Sequence, residues 1–148
     1  MKFVTILVAM CFLSGFARAA DPTPPYTADM TKQILDQNGQ TVPDLTDRAS
    51  DDKDCNAQQR AKCPPLTVGS LVSLALNGAY EDERGIGFQV RFDRATLARR
   101  IKDDKAAVLD STETAAIEKL LGKAGLNGSL LYQVIVVIDP NAKPGKVQ

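Results

Sequence analysis

The side chains in this sequence best suited to chemistry are two clusters of carboxylates, a run of arginines and lysines, and a pair of cysteines. Acidic residues gather at Asp44, Asp47, Asp51, Asp52 and Asp54, and again at Glu81, Asp82 and Glu83. In the first cluster Asp52, Asp54 and Asn56 have the first-third-fifth ligand spacing of an EF-hand loop, which also needs glycine at its sixth position and a bidentate glutamate at its twelfth. Those places hold Ala57 and Cys63. A solvated polar loop is the better reading, and no metal ligand is assigned. The second cluster could supply an acid and a base to a hydrolase. Three adjacent exposed carboxylates, however, have no means of splitting their pKa values. Ser70, Ser73 and Ser129 have no histidine to activate them, because the chain contains none. A Ser/Lys pair would depend on folding to bring the two together. Gly85-Ile86-Gly87 lacks the third spaced glycine of a phosphate cradle. No catalytic residue and no cofactor follows from these residues.

Arg91, Arg94, Arg99, Arg100, Lys102 and Lys105 make one region basic. On a helix Arg91, Lys102 and Lys105 project within about 60° of each other, which is compatible with an anion site. Glu81, Asp82, Glu83, Asp93, Asp103 and Asp104 surround them, so a salt-bridged face is preferred.

Cys55 and Cys63 are the cysteines that remain if the leader described below is removed with Cys11. In an oxidising compartment such an isolated pair forms one disulfide. Eight residues of straight helix would hold the two Cα atoms about 12 Å apart, whereas a disulfide tolerates less than about 7 Å. The segment must therefore turn back on itself. A redox-active pair wants two intervening residues, and this pair has seven.

The elements that must position these groups follow an export leader. Lys2 and the apolar run Phe3 to Leu13 precede Ala17-Arg18-Ala19, the small-residue pattern of a signal peptide cleaved after Ala19. The run is too short to span a bilayer, which needs about 20 apolar residues. Without residues 1–19 the chain has 129 residues, 16 basic and 18 acidic. That near-neutral balance argues against nucleic acid as a partner. No later segment reaches membrane-spanning length, and the expected location is periplasmic or secreted.

Proline-rich residues 20–31 are expected to be a flexible lead-in to a single domain over 32–140. Ile34-Leu35, Gln37-Asn38-Gly39 and Thr41-Val42 predict a short hairpin, since Asn-Gly suits the positive φ of a tight turn. A polar loop carrying the disulfide spans 44–65. A first helix is capped by Thr67 and runs to Asn77, with Val68, Leu71, Val72, Leu74, Ala75 and Leu76 on its apolar side and Gly78 as its stop. A second covers about 87–102. Val90, Leu97 and Ile101 form one stripe, facing the first and third helices. Phe88, Phe92 and Ala95 form another, whose rings are expected to bury against the final segment, the alternative being an exposed partner contact. The third begins at Asp110, which has capping-box spacing with Glu113, and buries Ala116, Ile117, Leu120, Leu121 and Ala124. Residues 129–139 are rich in β-branched residues, which favour a strand, but carry helical spacing and a helical stop; Ser129 is the expected cap and helix the expected state. Residues 141–148 are expected to be a loose tail.

From Pro65 onward this order resembles a family of small uncharacterised proteins encoded in bacteriophages and prophages. The residues carrying the resemblance are Leu66-Thr67-Val68-Gly69, Ala75-Leu76, Tyr80-Glu81-Asp82-Glu83, Arg94 with Leu97-Ala98, Ile101-Lys102, Ile117 with Lys119-Leu120-Leu121-Gly122-Lys123, and Ile138-Asp139-Pro140. Ile34 to Gly39 is similar to that family's opening hairpin. The resemblance covers about 32–140 and implies a helical final segment, but it brings no site residue. The chain departs from the family in its export signal and its stapled insertion.

The sequence therefore predicts a mainly α protein: a small bundle of three to four helices with a short N-terminal β-hairpin. Its expected role is a protein-binding or accessory module whose partner is another envelope protein, with Phe88 and Phe92 as possible contacts. The alternatives are a small hydrolase using carboxylates or a Ser/Lys pair, and a phage-derived morphogenesis or host-interaction factor. Oligomeric state is left open.

Overall fold

The computed structural model describes residues 25–45, 55 and 62–142. The fold is mainly α. In chain order the elements are β1 (Tyr26–Asp29), α1 (Val68–Asn77), a 3-10 turn (Glu81–Glu83), α2 (Phe88–Asp103), β2 (Ala106–Leu109), α3 (Ser111–Lys123) and α4 (Gly128–Ile138). The expected leader and its cleavage site lie outside the described residues, as does most of the 44–65 loop.

Sequence signals account for the helix ends. Thr67 is the N-cap of α1, its hydroxyl accepting from the Ser70 amide at 3.2 Å. Asp110 and Glu113 form the reciprocal capping box of α3. The β-branched segment is helix, as its spacing predicts, but Asn127 caps it in place of Ser129, its side chain accepting from the Leu130 amide at 3.0 Å.

α1 is the central element, packing against α2, α3 and α4. Val68, Leu71, Val72, Ala75 and Leu76 enter the core with Ile101, Ile117, Leu120, Leu121, Val134 and Ile138. Leu74 does not: it is 43% exposed, because on the helix it falls beside Ser70 and Asn77, away from the apolar stripe. In α3 Ala116 is exposed and Thr114 is buried in its stead. The Thr114 hydroxyl donates to the Asp110 carbonyl at 2.8 Å, so its polar atom is satisfied.

The two-stranded sheet joins distant parts of the chain. β1 pairs antiparallel with β2, Tyr26 opposite Leu109 and Asp29 opposite Ala106. The segment expected to be a flexible lead-in is thus structured from Tyr26 onward, with Ala28 and Met30 in the core. The expected tail is likewise anchored at its start. Asn141 donates from its amide side chain to the Tyr26 hydroxyl at 2.9 Å, and Ala142 packs on the core.

The turn predicted at Gln37-Asn38-Gly39 is formed. Gly39 has φ 77°, the Asp36 amide donates to the Gln40 carbonyl at 2.8 Å, and Val42 donates to Ile34 at 3.0 Å. Leu66 then bridges the two arms: its carbonyl accepts from Ile34 and its amide donates to Val42. From α4 the Gln133 amide clasps both backbone groups of Leu35, at 2.9 and 2.8 Å. Cys55 and Cys63 are disulfide-bonded with Cα atoms 4.6 Å apart; residues 56–61 between them lie outside the described residues.

Candidate functional site

The ten residues between α1 and α2 form a tight polar turn that sets where α2 begins. Tyr80 anchors it by donating its hydroxyl to the Ala75 carbonyl at 2.7 Å and lying 3.3 Å from that of Leu120. Burial first, and the nearby Glu83 second, push the phenol's pKa up, so the donor keeps its proton. The ring packs so closely on Gly78 that a Cβ there would meet the hydroxyl at 2.6 Å.

The following 3-10 turn delivers the second carboxylate cluster. Glu83 receives both guanidinium nitrogens of Arg94, at 2.5 and 3.0 Å, and the Lys123 ammonium at 3.0 Å. Lys123 also reaches Asp82 at 2.7 Å and stands 5.7 Å from the centre of the Tyr80 ring. A bidentate Arg–carboxylate pair is among the stronger charge-assisted contacts. The hydrogen bonds from Arg94, then those from Lys123, hold Glu83 at about 2, well below its ordinary 4.5. At neutral pH it is a committed counter-ion, the opposite of the raised carboxyl that general-acid chemistry uses.

This clamp holds an overhanging helix. Among the described residues of α2 only Ala98 and Ile101 are fully in the core, with Leu97 packed on it. From Phe88 to Thr96 every residue except Arg94 is exposed. Val90 shares the inward stripe with Leu97 and Ile101 but is 42% exposed, in the half of α2 that is almost wholly exposed. Phe88 and Phe92 are 79% and 55% exposed, their rings stacked 6.0 Å apart at 28°. They are not buried against the final helix. Phe88, Phe92, Ala95 and Arg99 lie within roughly 60° on the helix surface, and the stripe contains no carboxylate. Val90 lies on the opposite side of α2, and Leu74, Val108 and Tyr132 are on other elements.

Two clefts flank α2. One, of about 490 Å³, lies under the overhang between the end of α1 and the polar turn, and Arg84, Arg91 and Arg94 line it with Leu76, Ile86 and Glu81. The other, of about 580 Å³, lies along the polar side of α1 and contains Ser70, Ser73, Leu74, Lys102 and Lys105. The structure thus separates the basic residues that helical spacing groups: Arg91 lines one cleft, Lys102 and Lys105 the other, with Lys105 beyond the end of α2. It does bring serines and lysines to a common cleft, where the Ser70 hydroxyl lies 3.1 Å from that of Thr67. Ser129 is elsewhere, in the first turn of α4.

Asp52, Asp54 and Asn56 lie outside the described residues, among which no group of three potential ligands could hold a metal ion. Nor is any described helix long and apolar enough to cross a membrane. The overhang itself carried a sequence signal: the two aromatic positions of α2 stand on a stripe separate from Ala98 and Ile101. The Glu83–Arg94–Lys123 clamp carried none, because it closes between residues 11 and 40 positions apart.

The described residues thus define a small mainly α fold with a clamped, overhanging helix. Among known proteins, no family model, no curated protein and no solved structure matches this chain.

Proposed function

We propose that this protein is an exported binding module that captures another envelope protein on the overhanging half of α2. The observation that carries this reading is the stacked, exposed Phe88–Phe92 pair on a helix segment held rigid from below by Arg94 and Glu83. Aromatic residues, phenylalanine among them, are enriched at protein interfaces, and a preordered anchor loses little freedom on binding. The export leader and the Cys55–Cys63 staple support a setting outside the cytoplasm. A host-interaction factor of phage origin, which the resemblance would suggest, works by the same kind of contact. Self-association is disfavoured as the primary use, because a two-fold pairing sets a patch against itself. Arg99 of both copies would then share a stripe with no acid.

The test separates contact from core. A photo-crosslinking residue at position 92 should trap a discrete partner in envelope preparations, whereas the same residue at exposed Lys119 on α3 should not. Phe92→Ala should shift stability by no more than about 0.5 kcal/mol and weaken the trapped complex at least about tenfold. A variant that melts several degrees lower, or that holds the same partner as tightly as wild type, would overturn the reading.

A further inference from the structure

We propose that the cleft beneath the overhang is a carboxylate pocket, and that the partner segment docking on Phe88 and Phe92 places an aspartate or glutamate side chain in it. The inference rests on the docking role of α2 and names the chemistry of its occupant.

Three arginines, Arg84, Arg91 and Arg94, line this cleft. Arg94 is already neutralised by Glu83. Glu83 in turn is shared with Lys123, so it is not available to swing out and quench the others without releasing the clamp. Arg84 and Arg91 are exposed and make no ion pair among the described residues. Against them the lining offers only Glu81 as a further acid. The planar guanidinium fork matches a carboxylate in geometry as well as charge, and the Leu76 and Ile86 side chains supply apolar walls for the methylene stem of an entering acid.

Arg91 connects the two halves of the surface. It follows Phe88 by three residues on the same helix, the spacing of neighbouring side chains. A segment crossing α2 can therefore rest an apolar side chain on the rings and reach the cleft with an acid a residue or two away. A bilayer fits less well, because a flat surface cannot follow the rings into a recess of about 490 Å³.

A peptide-display selection on the full chain, purified with Cys55–Cys63 oxidised, tests this. The baits are wild type, Arg84→Gln/Arg91→Gln and Phe88→Ser/Phe92→Ser, each checked for an unchanged helical spectrum. Wild type should select segments that pair an acid with a large apolar residue. Replacing that acid by its amide in a selected peptide should weaken binding at least about tenfold to wild type, and leave binding to the double arginine variant unchanged. Selected segments that are apolar without an acid, or an equal loss on the arginine variant, would overturn the pocket while leaving the docking role intact. Segments that bind the double phenylalanine variant as tightly as wild type would overturn the docking role. So would an empty selection. Sedimentation with phosphatidylglycerol vesicles that both variants abolish would give the surface to a membrane and overturn the carboxylate assignment.

Discussion

Glu83 ties the polar turn to α2 and α3 through one carboxylate, and its protonation has a calculable direction. Its pKa in the fold is about 2 against an ordinary 4.5. A carboxyl depressed in this way stabilises the native state fully above about 4.5, and the contribution fades as the pH falls toward 2. Other groups shift as well. Asp29 is lowered by its hydrogen bonds from Thr31, while Glu118 is raised, chiefly by burial and then by Asp139. The difference between wild type and Glu83→Gln isolates the clamp from these. Thermal melts should show the variant less stable at pH 7, where Arg94 and Lys123 lose their shared counter-ion, and the two proteins converging near pH 2. A gap that stays constant from pH 7 to pH 2 would mean that the carboxylate charge is not what the clamp uses.

At the scale of elements, the end of α1 depends on a close approach rather than on glycine's backbone freedom. Gly78 has φ −62°, which any residue adopts, but a Cβ there would meet the Tyr80 hydroxyl at 2.6 Å and its ring carbon at 2.7 Å. That ring is tied to the Ala75 carbonyl and packed on the core, so it has little room to yield. Gly78→Ala should cost about 1–3 kcal/mol. Gly122 lies inside α3, where an added methyl would have no neighbouring atom within 4 Å. It is the matched control: Gly122→Ala should stabilise by about 0.5–1 kcal/mol. Chemical denaturation of the pair reads both signs. The contrast also marks what was legible in the sequence. Local devices were: the Thr67 cap, the Asp110–Glu113 box, the Asn38-Gly39 turn and the helical period of α4 all act within a few residues. β1 and β2 were not, because each is a four-residue strand whose partner lies far away in the chain. Val90 misled for a related reason: its stripe is set by the helix, but its burial depends on which distant elements pack against that stripe. The same limit hid the clamp and the arginine cleft, both built from residues on separate elements.

Over the whole molecule, the core and the staple are separate devices. Every residue of the buried cluster lies in or beside β1, the 34–42 turn, the helices or β2, and neither cysteine belongs to it. The bond closes a loop of eight positions next to the Leu66 segment, where the Asp44 amide donates to the Pro64 carbonyl at 2.7 Å. In the chain-entropy account, closing so short a loop is worth about 2.5 kcal/mol. Reduction should therefore lower the melting temperature while leaving the helical spectrum at room temperature unchanged, since α1, α3 and α4 pack without it. The same bond links fold to setting. A chain that passes through an oxidising compartment after losing its leader should have, in one intact-mass measurement, the mass of residues 20–148 less two hydrogens. A mass that retains Met1, or one that carries both thiols free after isolation under non-reducing conditions, would detach the staple from export. Loss of the helical spectrum on reduction would show instead that the loop is needed to bring the Leu66 segment between the two arms of the turn, making the disulfide part of the core's assembly.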